Sequence, residues 1–405
     1  MSYFSENDNR IRSNGSISLA CAVTSLIMGV LFAFLPALPD SVTILIRPAV
    51  IVACLFFTRT KAYYKFTPSI KCLIIIQFYN FFVLVGNPMT SSSVRAFATA
   101  VLYAVFFIVL QMTVWKKREI KLFLWTIIVS CSICAVLALL ENPNMFKGSA
   151  GEDITFLGVH MNTNTAAFEI VPGFLVAVYF YLFGRSRKDQ YYFMKSLFLI
   201  GCAGICSFLL LGLASRSAFF AAVIGGTILL WGATSKTVNA KSRNWQRVLL
   251  VLVLILIFTA GPKLAEGSHA ERLFDYDMLF DSNGRDEMNE VAEQLIRKKP
   301  FFGGGYDYWA NESGEYLGVH NTFLAWGVVG GYTEMALLIG FFILALKDLL
   351  VSKSLMPIAF FIEPLFHSLT EPGMDYFMYL PLSIAFMLVK YSVANRCRIQ
   401  DAIRS

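Results

Sequence analysis

The stretch VLLVLVLILIFTA, Val248 to Ala260, decides the fold class. Thirteen residues pass without a charge, and apolar side chains do not alternate with polar ones. A transmembrane barrel strand alternates over about ten residues. A continuous apolar run is what a helix needs to face hydrocarbon on all sides. Several other runs reach about 17–20 residues, enough to cross a bilayer core of about 30 Å as helix. Composition agrees. Of 405 residues, 57% are hydrophobic and only 15% are charged, where a soluble domain carries about 25% charged residues. The chain therefore reads as an all-α, polytopic integral membrane protein.

About twelve helices are expected, with cores near 17–35, 41–57, 72–87, 96–114, 122–140, 166–183, 196–214, 217–234, 248–262, 321–346, 355–369 and 376–391. The polar start MSYFSENDNRIRSNGS leads into an apolar run with no small-residue cleavage site, so that run reads as a retained helix. The organisation that follows is a tail at 1–16, helices one to nine within 17–262, a long loop at 263–320, helices ten to twelve within 321–391, and a tail at 392–405.

Lys and Arg set the orientation. Alternate short loops carry Arg59, Lys61, Lys65 and Lys71, then Lys116, Lys117, Arg118 and Lys121, then Arg185, Arg187, Lys188 and Lys195, then Lys236, Lys241, Arg243 and Arg247. The C-terminal tail adds Arg396, Arg398 and Arg404. The intervening loops LPALPD, GNPMTSSS and TEPGMD have no basic residue. The basic side is expected to be cytoplasmic, with both termini inside. The net charge of +7 is then a topology signal and not a nucleic-acid surface. Eight cysteines carry no metal pattern: Cys131 and Cys134, like Cys202 and Cys206, stand at helical spacing in apolar runs without a histidine cluster.

The same parity turns 263–320 outward. A loop so much longer than about 15 residues is usually functional or disordered, and this one has structure. Met288, Val291, Ala292, Leu295 and Ile296 repeat as one apolar helical face, Asp286 and Glu287 occupy the first turn, Arg297, Lys298 and Lys299 the last, and Pro300 stops it. An amphipathic helix on the membrane or on the bundle is expected. PFFGGGYDYW, 300–309, then supplies a glycine turn and an interfacial aromatic belt.

Several polar residues on this outer side invite chemistry. Arg216, in LGLASRSAFFAAV, sits in an outward turn between two apolar runs, where an arginine faces either a polar cavity or the headgroups. Arg285 starts the amphipathic helix. A cation there opposes the helix dipole, so it either binds an anion with the free N–H groups or pairs with Asp281 or Asp286. Arg297 suits the C-terminal end of its helix, and also lies on the outer side. His320 and Asn321 stand where the loop enters a long apolar helix. An unperturbed imidazole titrates near about 6.5 and can trade protons at neutral pH, while Asn321 suits an N-cap. Glu371 and Asp375 also face outward, and read as solvated loop acids before acceptor ligands. Arg47 and Glu334 fall inside helices, where each needs a partner. Two outward arginines, a surface helix and a histidine at a helix mouth suit an enzyme acting on a phosphate-bearing lipid.

Four stretches give a resemblance: FLGVHMNTNTAAFEIVPG (156–173, with Asn164), ASRSAFFAAVIG (214–225), GRDEMNEVAEQLIRKKPFFGGGYDYW (284–309) and HNTFLAWGVVGG (320–331). In order and spacing they resemble the successive motifs of the O-antigen ligase and O-antigen polymerase superfamily. Ser217 stands where glycine or alanine is common there, a minor departure. The resemblance implies a membrane glycosyltransferase of GT-C type with one long structured extracytoplasmic loop. It implies a donor glycan on undecaprenyl diphosphate, a glycan or lipid-linked glycan acceptor, inversion, and no metal or other cofactor. Arg216 and Arg285 match diphosphate-binding, catalytic positions, and His320 the essential histidine. Asn321, Arg297 and Asn164 are the further substrate-binding candidates. The expected setting is the plasma membrane, with a flippase and a chain-length regulator as possible assembly partners and no nucleic acid. Polymerisation of repeat units is the leading expectation, ligation of finished glycan to lipid A core the next, and a lipid-linked glycan flippase the most distant. A flippase should carry paired repeats or a central polar path, and the sequence shows no internal repeat.

Overall fold

The computed structural model describes residues 66–112, 117–146, 153–156, 159–184, 190–235, 240–274, 285–313, 319–372 and 378–390. The expected helices at 17–35 and 41–57, with Arg47, lie outside the described residues. In chain order the helices are α1 (Pro68–Gly86), α2 (Ser91–Met112), α3 (Lys117–Glu141), α4 (Thr163–Tyr179), α5 (Tyr192–Leu213), α6 (Arg216–Thr234), α7 (Ala240–Ala265), α8 (Arg285–Lys298), α9 (Tyr308–Ser313), α10 (Thr322–Leu350), α11 (Met356–Thr370) and α12 (Met378–Lys390). A π-helical turn, Phe180–Gly184, continues α4, and a 3-10 turn, His269–Leu273, follows α7. Seven of the described helices are long and apolar enough to cross a membrane, by length and composition. The opening stretch lies within α7 and is helix, not strand.

The sequence reading is refined by two short strands. β1 (Asp153–Phe156) and β2 (Val159–Asn162) pair antiparallel just before α4. Asn142, just past the end of α3, fixes this hairpin with both ends of its amide: Nδ2 donates to Thr155 O (2.6 Å) and Oδ1 accepts from Thr155 N (3.0 Å).

α4 is the hub, packed by α3, α5, α6 and α11. Small residues permit this crowding. A Cβ on Gly173 would overlap Cys131 of α3, and one on Gly225 of α6 would lie 2.9 Å from both Ala359 O of α11 and a Leu175 methyl of α4. A second group joins α10 to α1, α8 and α11. Asp348 locks α10 to α1 at one end, accepting from Ser69 N (3.1 Å) and Ser69 Oγ (2.6 Å). All of α12 is buried, and an aromatic core joins it to its neighbours: Phe107 of α2 touches Phe341 of α10 and both Tyr379 and Phe386 of α12. Large apolar side chains such as Phe78, Phe82, Phe193, Leu252, Ile255 and Ile343 point away from the protein. In water such a surface would aggregate, whereas lipid covers it at no cost.

α10 is broken near its start. Gly331 has φ 73° and ψ −171°, which interrupts the helical hydrogen bonds. The glycine turn of the long loop repairs the break: Gly304 N donates to Val328 O (3.0 Å), Gly305 N to Val329 O (2.9 Å), and Tyr332 N to Pro300 O (2.7 Å). Tyr79 of α1 sets its hydroxyl 2.7 Å from both Phe301 O and Gly330 O. Irregular backbone at this depth is tolerated only when its polar groups find protein partners. Below the break Glu334 is buried and faces Asn80 of α1, and neither of its carboxyl oxygens makes a hydrogen bond among the described residues. Burial, and then Glu334, push the pKa of Tyr306 up, so its hydroxyl stays protonated.

Gly303 has φ 64°, and a Cβ there would overlap the backbone of Val329. A non-glycine residue at positive φ costs about 1–3 kcal/mol before any clash. Gly303→Ala is therefore expected to undock the glycine turn, lowering thermal stability and opening 300–309 to protease. Gly201, with nothing within 4 Å of its Cβ position, is the control. Equal melting and digestion of Gly303→Ala and Gly201→Ala would refute the docking argument.

Candidate active site

The helix ends gather at one end of the bundle. α6 and α11 run antiparallel and meet at Gly225 and Ala359. Arg216 stands nine residues before Gly225, and Ser368 nine after Ala359. At 1.5 Å per residue both climb about 13 Å toward the same end. Arg216 is thus level with the last turn of α11, which carries His367 and leads into Glu371. α4 reaches the same level by its N-terminus. Leu175 meets Gly225, and Phe168 lays its ring edge-on to His367, with centroids 4.9 Å apart.

Arg216 owes its position to a two-residue connection. α5 ends at Leu213, Ala214 takes the left-handed conformation (φ 48°), Ser215 is extended, and α6 begins at Arg216. The 3-10 turn after α7 packs on this corner through Ala270 and Leu273 against Ala214 and Phe219. So short a turn holds the arginine at the first position of a helix, half-buried, where the helix dipole favours an anion and not a cation. Ser215 Oγ is buried with no hydrogen-bond partner among the described residues, and makes no cap bond. A guanidinium, a hydroxyl and the first N–H groups of a helix together make a site for phosphate oxygens.

His320 precedes α10. Asn321 is the N-cap: its side chain accepts from Leu324 N (3.1 Å), so the capping role proposed for it is observed. Glu371 stands beside the histidine, with Oε2 3.7 Å from His320 Nδ1. Thr322 Oγ1 donates to Glu371 O (2.7 Å), and Glu371 N donates to His367 O (2.8 Å), so the start of α10 and the end of α11 are tied together. A carboxylate facing one ring nitrogen orients the imidazole and turns the other nitrogen elsewhere. Sequence reading set Glu371 aside as a solvated acid. Its side chain is only 13% exposed. The signal that could have found it was its outward parity at the end of the helix that carries His367, where it is the C-cap.

Arg285 is the first residue of α8 and is half-buried. Ala292, Leu295 and Ile296 form the buried face of α8 and share a cluster with Val319, the residue before His320, and with Val328 of α10. The amphipathic helix therefore lies on α10 as an arm of the site. The described contacts tie Arg285 to the site through α8, and residues 275–284 before it lie outside the described residues. Arg297, in the last turn, is exposed and pairs with Glu293 at 3.2 Å. Asn164 lies in the first turn of α4, where its N–H donates to the Asn162 side chain (2.8 Å). Of the six candidates, the fold brings Arg216, His320, Asn321 and Asn164 to one end of the bundle, with Arg285 and Arg297 at opposite ends of α8. Among the described residues, no three His, Cys, Asp or Glu side chains form a group that could hold a metal ion.

No curated protein matches the chain. Residues 201–339, which run from α5 through α10 and include Arg216, Arg285, Arg297, His320 and Asn321, match the family model described as O-antigen ligase. That match, over about a third of the chain and including the stretches that carry Arg216 and His320, supports the likeness of this region to the O-antigen ligase and O-antigen polymerase superfamily.

Proposed function

We propose that the protein is a GT-C-like glycosyltransferase of the plasma membrane that lengthens a surface polysaccharide at the extracytoplasmic face. Its donor is a glycan on undecaprenyl diphosphate and its acceptor the end of another glycan. Both termini are cytoplasmic, as the distribution of Lys and Arg favours. The reading is carried by the Glu371 carboxylate 3.7 Å from His320 Nδ1 at the end of α11, the helix whose packing on α6 at Gly225 and Ala359 sets Arg216 at about the same level by helix rise. His320 takes the proton of the acceptor hydroxyl. The hydroxyl oxygen bonds to the anomeric carbon from the side opposite the leaving group, so configuration inverts. The bond from that carbon to the phosphate oxygen breaks, and its electron pair leaves on the diphosphate. Arg216 and Arg285 neutralise the charge that develops there, the task a metal performs in other transferases. Arg297 and Asn164 would touch the glycan or lipid at the margins, and Asn321 holds the mouth of α10.

Joining of repeat units is the reading preferred here, and transfer of finished glycan to lipid A core or another terminal acceptor is the second, favoured by the description of the matched family. Deletion of the gene separates them. Single lipid-linked repeat units are expected to accumulate. Full-length lipid-linked chains would instead make the protein a ligase, and an unchanged lipid-linked pool would sink both.

A further inference from the structure

The β1–β2 hairpin at the outer end of the bundle carries a polar face that the transfer step above does not use. Its register sets Ile154 opposite Met161 and Thr155 opposite His160. Ile154 is 6% exposed and belongs to the bundle core. Successive strand residues belong to opposite faces, so Thr155, His160 and Asn162 share the face turned from that core. His160 and Asn162 are exposed, and Thr155 is half-buried. Asn164 follows in the first turn of α4. Asn162 accepts from Asn164 N with its Oδ1 (2.8 Å), a bond that does not use its amide nitrogen.

The hairpin is anchored beside the Arg216 corner. Asn142, beyond the end of α3, grips Thr155 with both ends of its amide. The turn that follows Asn142 packs on the last turns of α5. A Cβ on Gly212 would lie 2.6 Å from Met145 Sδ and 2.9 Å from Phe146 Cζ, and the rings of Phe146 and Phe208 stand 4.5 Å apart. Gly212 is four residues before Arg216. Asn162 is six residues before Phe168, whose ring meets His367, so the hairpin stands about 9 Å further out than that level. Across the bundle α3 packs on α4 and α5, α4 on α6 and α11, and α11 on α10. The hairpin, over α3, and His320, at the head of α10, therefore lie to different sides of Arg216. At about 8–10 Å between packed helix axes, the two steps from α3 to α6 keep the hairpin within about 20 Å of the corner.

Hydroxyl, imidazole and carboxamide groups both donate and accept, as sugar hydroxyls do. The chain has no Lys or Arg between Lys147 and Arg185, so this face does not suit a phosphate or an anionic headgroup. We propose that it is a distal glycan subsite, which holds the donor's sugar chain some sugars away from the diphosphate. The proposal rests on transfer from a diphosphate held at Arg216. The order across the bundle selects the donor: the acceptor comes to His320, so the donor chain leaves the site on the hairpin side. A chain held there stays with the enzyme while its reacting end is aligned, and longer donors bind better than single repeats.

The test uses full-length protein in liposomes and lipid-linked donors fractionated by length into one repeat and several. His160→Ala and Asn162→Ser together are expected to raise KM for the several-repeat donor about tenfold, as the loss of two hydrogen bonds allows, with kcat unchanged. The rise for the single repeat should be smaller. Serine at position 162 still caps α4. Lipid-free chains released from the surface polysaccharide read the subsite without turnover: they should inhibit the unmodified protein, and the double variant about tenfold less well. An equal KM rise for both donors, or none for either, overturns the subsite. Shorter polysaccharide in cells beside unchanged KM and inhibition in liposomes also overturns it, and would make the hairpin a docking face for another protein. No transfer from either donor by the unmodified protein would overturn the transferase reading and the subsite with it, whereas an active protein with unaltered hairpin variants overturns the subsite alone.

Discussion

His320→Ala is expected to abolish glycan transfer, lowering kcat by about 10²–10⁴, while the protein still inserts in the membrane and still takes up the lipid donor. The separation of rate from binding follows from position. His320 lies outside α10, and the cap that starts that helix is Asn321. Removing the imidazole thus leaves the Leu324 N to Asn321 bond and the Thr322 to Glu371 bond in place. It removes the group that faces Glu371 at 3.7 Å. His320→Gln keeps polarity without a titratable nitrogen and should be equally inactive. Normal polysaccharide length in either variant, at equal protein level, would refute the catalytic assignment. Asn321→Ala tests the neighbouring residue by contrast. A lost cap costs about 1 kcal/mol of stability, so its defect should appear in melting before it appears in rate.

Much of the bundle was legible because helix formation in a membrane is a matter of continuous apolar length. The runs at 72–87, 122–140, 196–214 and 217–234 became α1, α3, α5 and α6 with ends displaced by a few residues. The amphipathic repeat of 288–296 marked the face of α8 that is buried. What stayed hidden depends on pairing between distant segments. Gly331 in HNTFLAWGVVGG looks like any membrane-helix glycine, and only the arrival of Gly304 and Gly305 shows why the helix can break there. The β1–β2 hairpin escaped notice because its strands are too short to show a period, and Asn142 holds it from another element. In the site, Arg216 and His320 stood out as polar residues at apolar helix ends. Glu371 did not, since an acid in a loop is ordinarily solvated, and its burial follows from the hydrogen bond that Thr322 makes to its carbonyl.

Arg216→Ala is expected to reduce transfer by about 10²–10³, the loss seen when one preorganised donor to a developing negative charge is removed. The effect should fall on both donor capture and rate, because the diphosphate is present in substrate and gains charge as it leaves. Arg216→Lys should recover only part of the activity. An ammonium supplies the charge but not two parallel N–H bonds to phosphate oxygens. Arg285→Ala should behave in the same way more weakly, since Arg285 starts a helix that lies on α10 from outside, whereas Arg216 is held within the bundle by the two-residue Ala214–Ser215 corner. Undecaprenyl diphosphate added as product reads the assignment without turnover. It should inhibit the unmodified enzyme and bind Arg216→Ala poorly. The arginines are proposed to act in place of a metal, so activity should persist in EDTA; a loss restored by magnesium would overturn that part. Unchanged inhibition by undecaprenyl diphosphate in both arginine variants would move the diphosphate away from this corner. Ser215→Ala then separates the two partners of the phosphate. Its buried hydroxyl has no protein partner among the described residues, so removing it costs the fold little, and a weakened response to undecaprenyl diphosphate would place an oxygen of the leaving group against it.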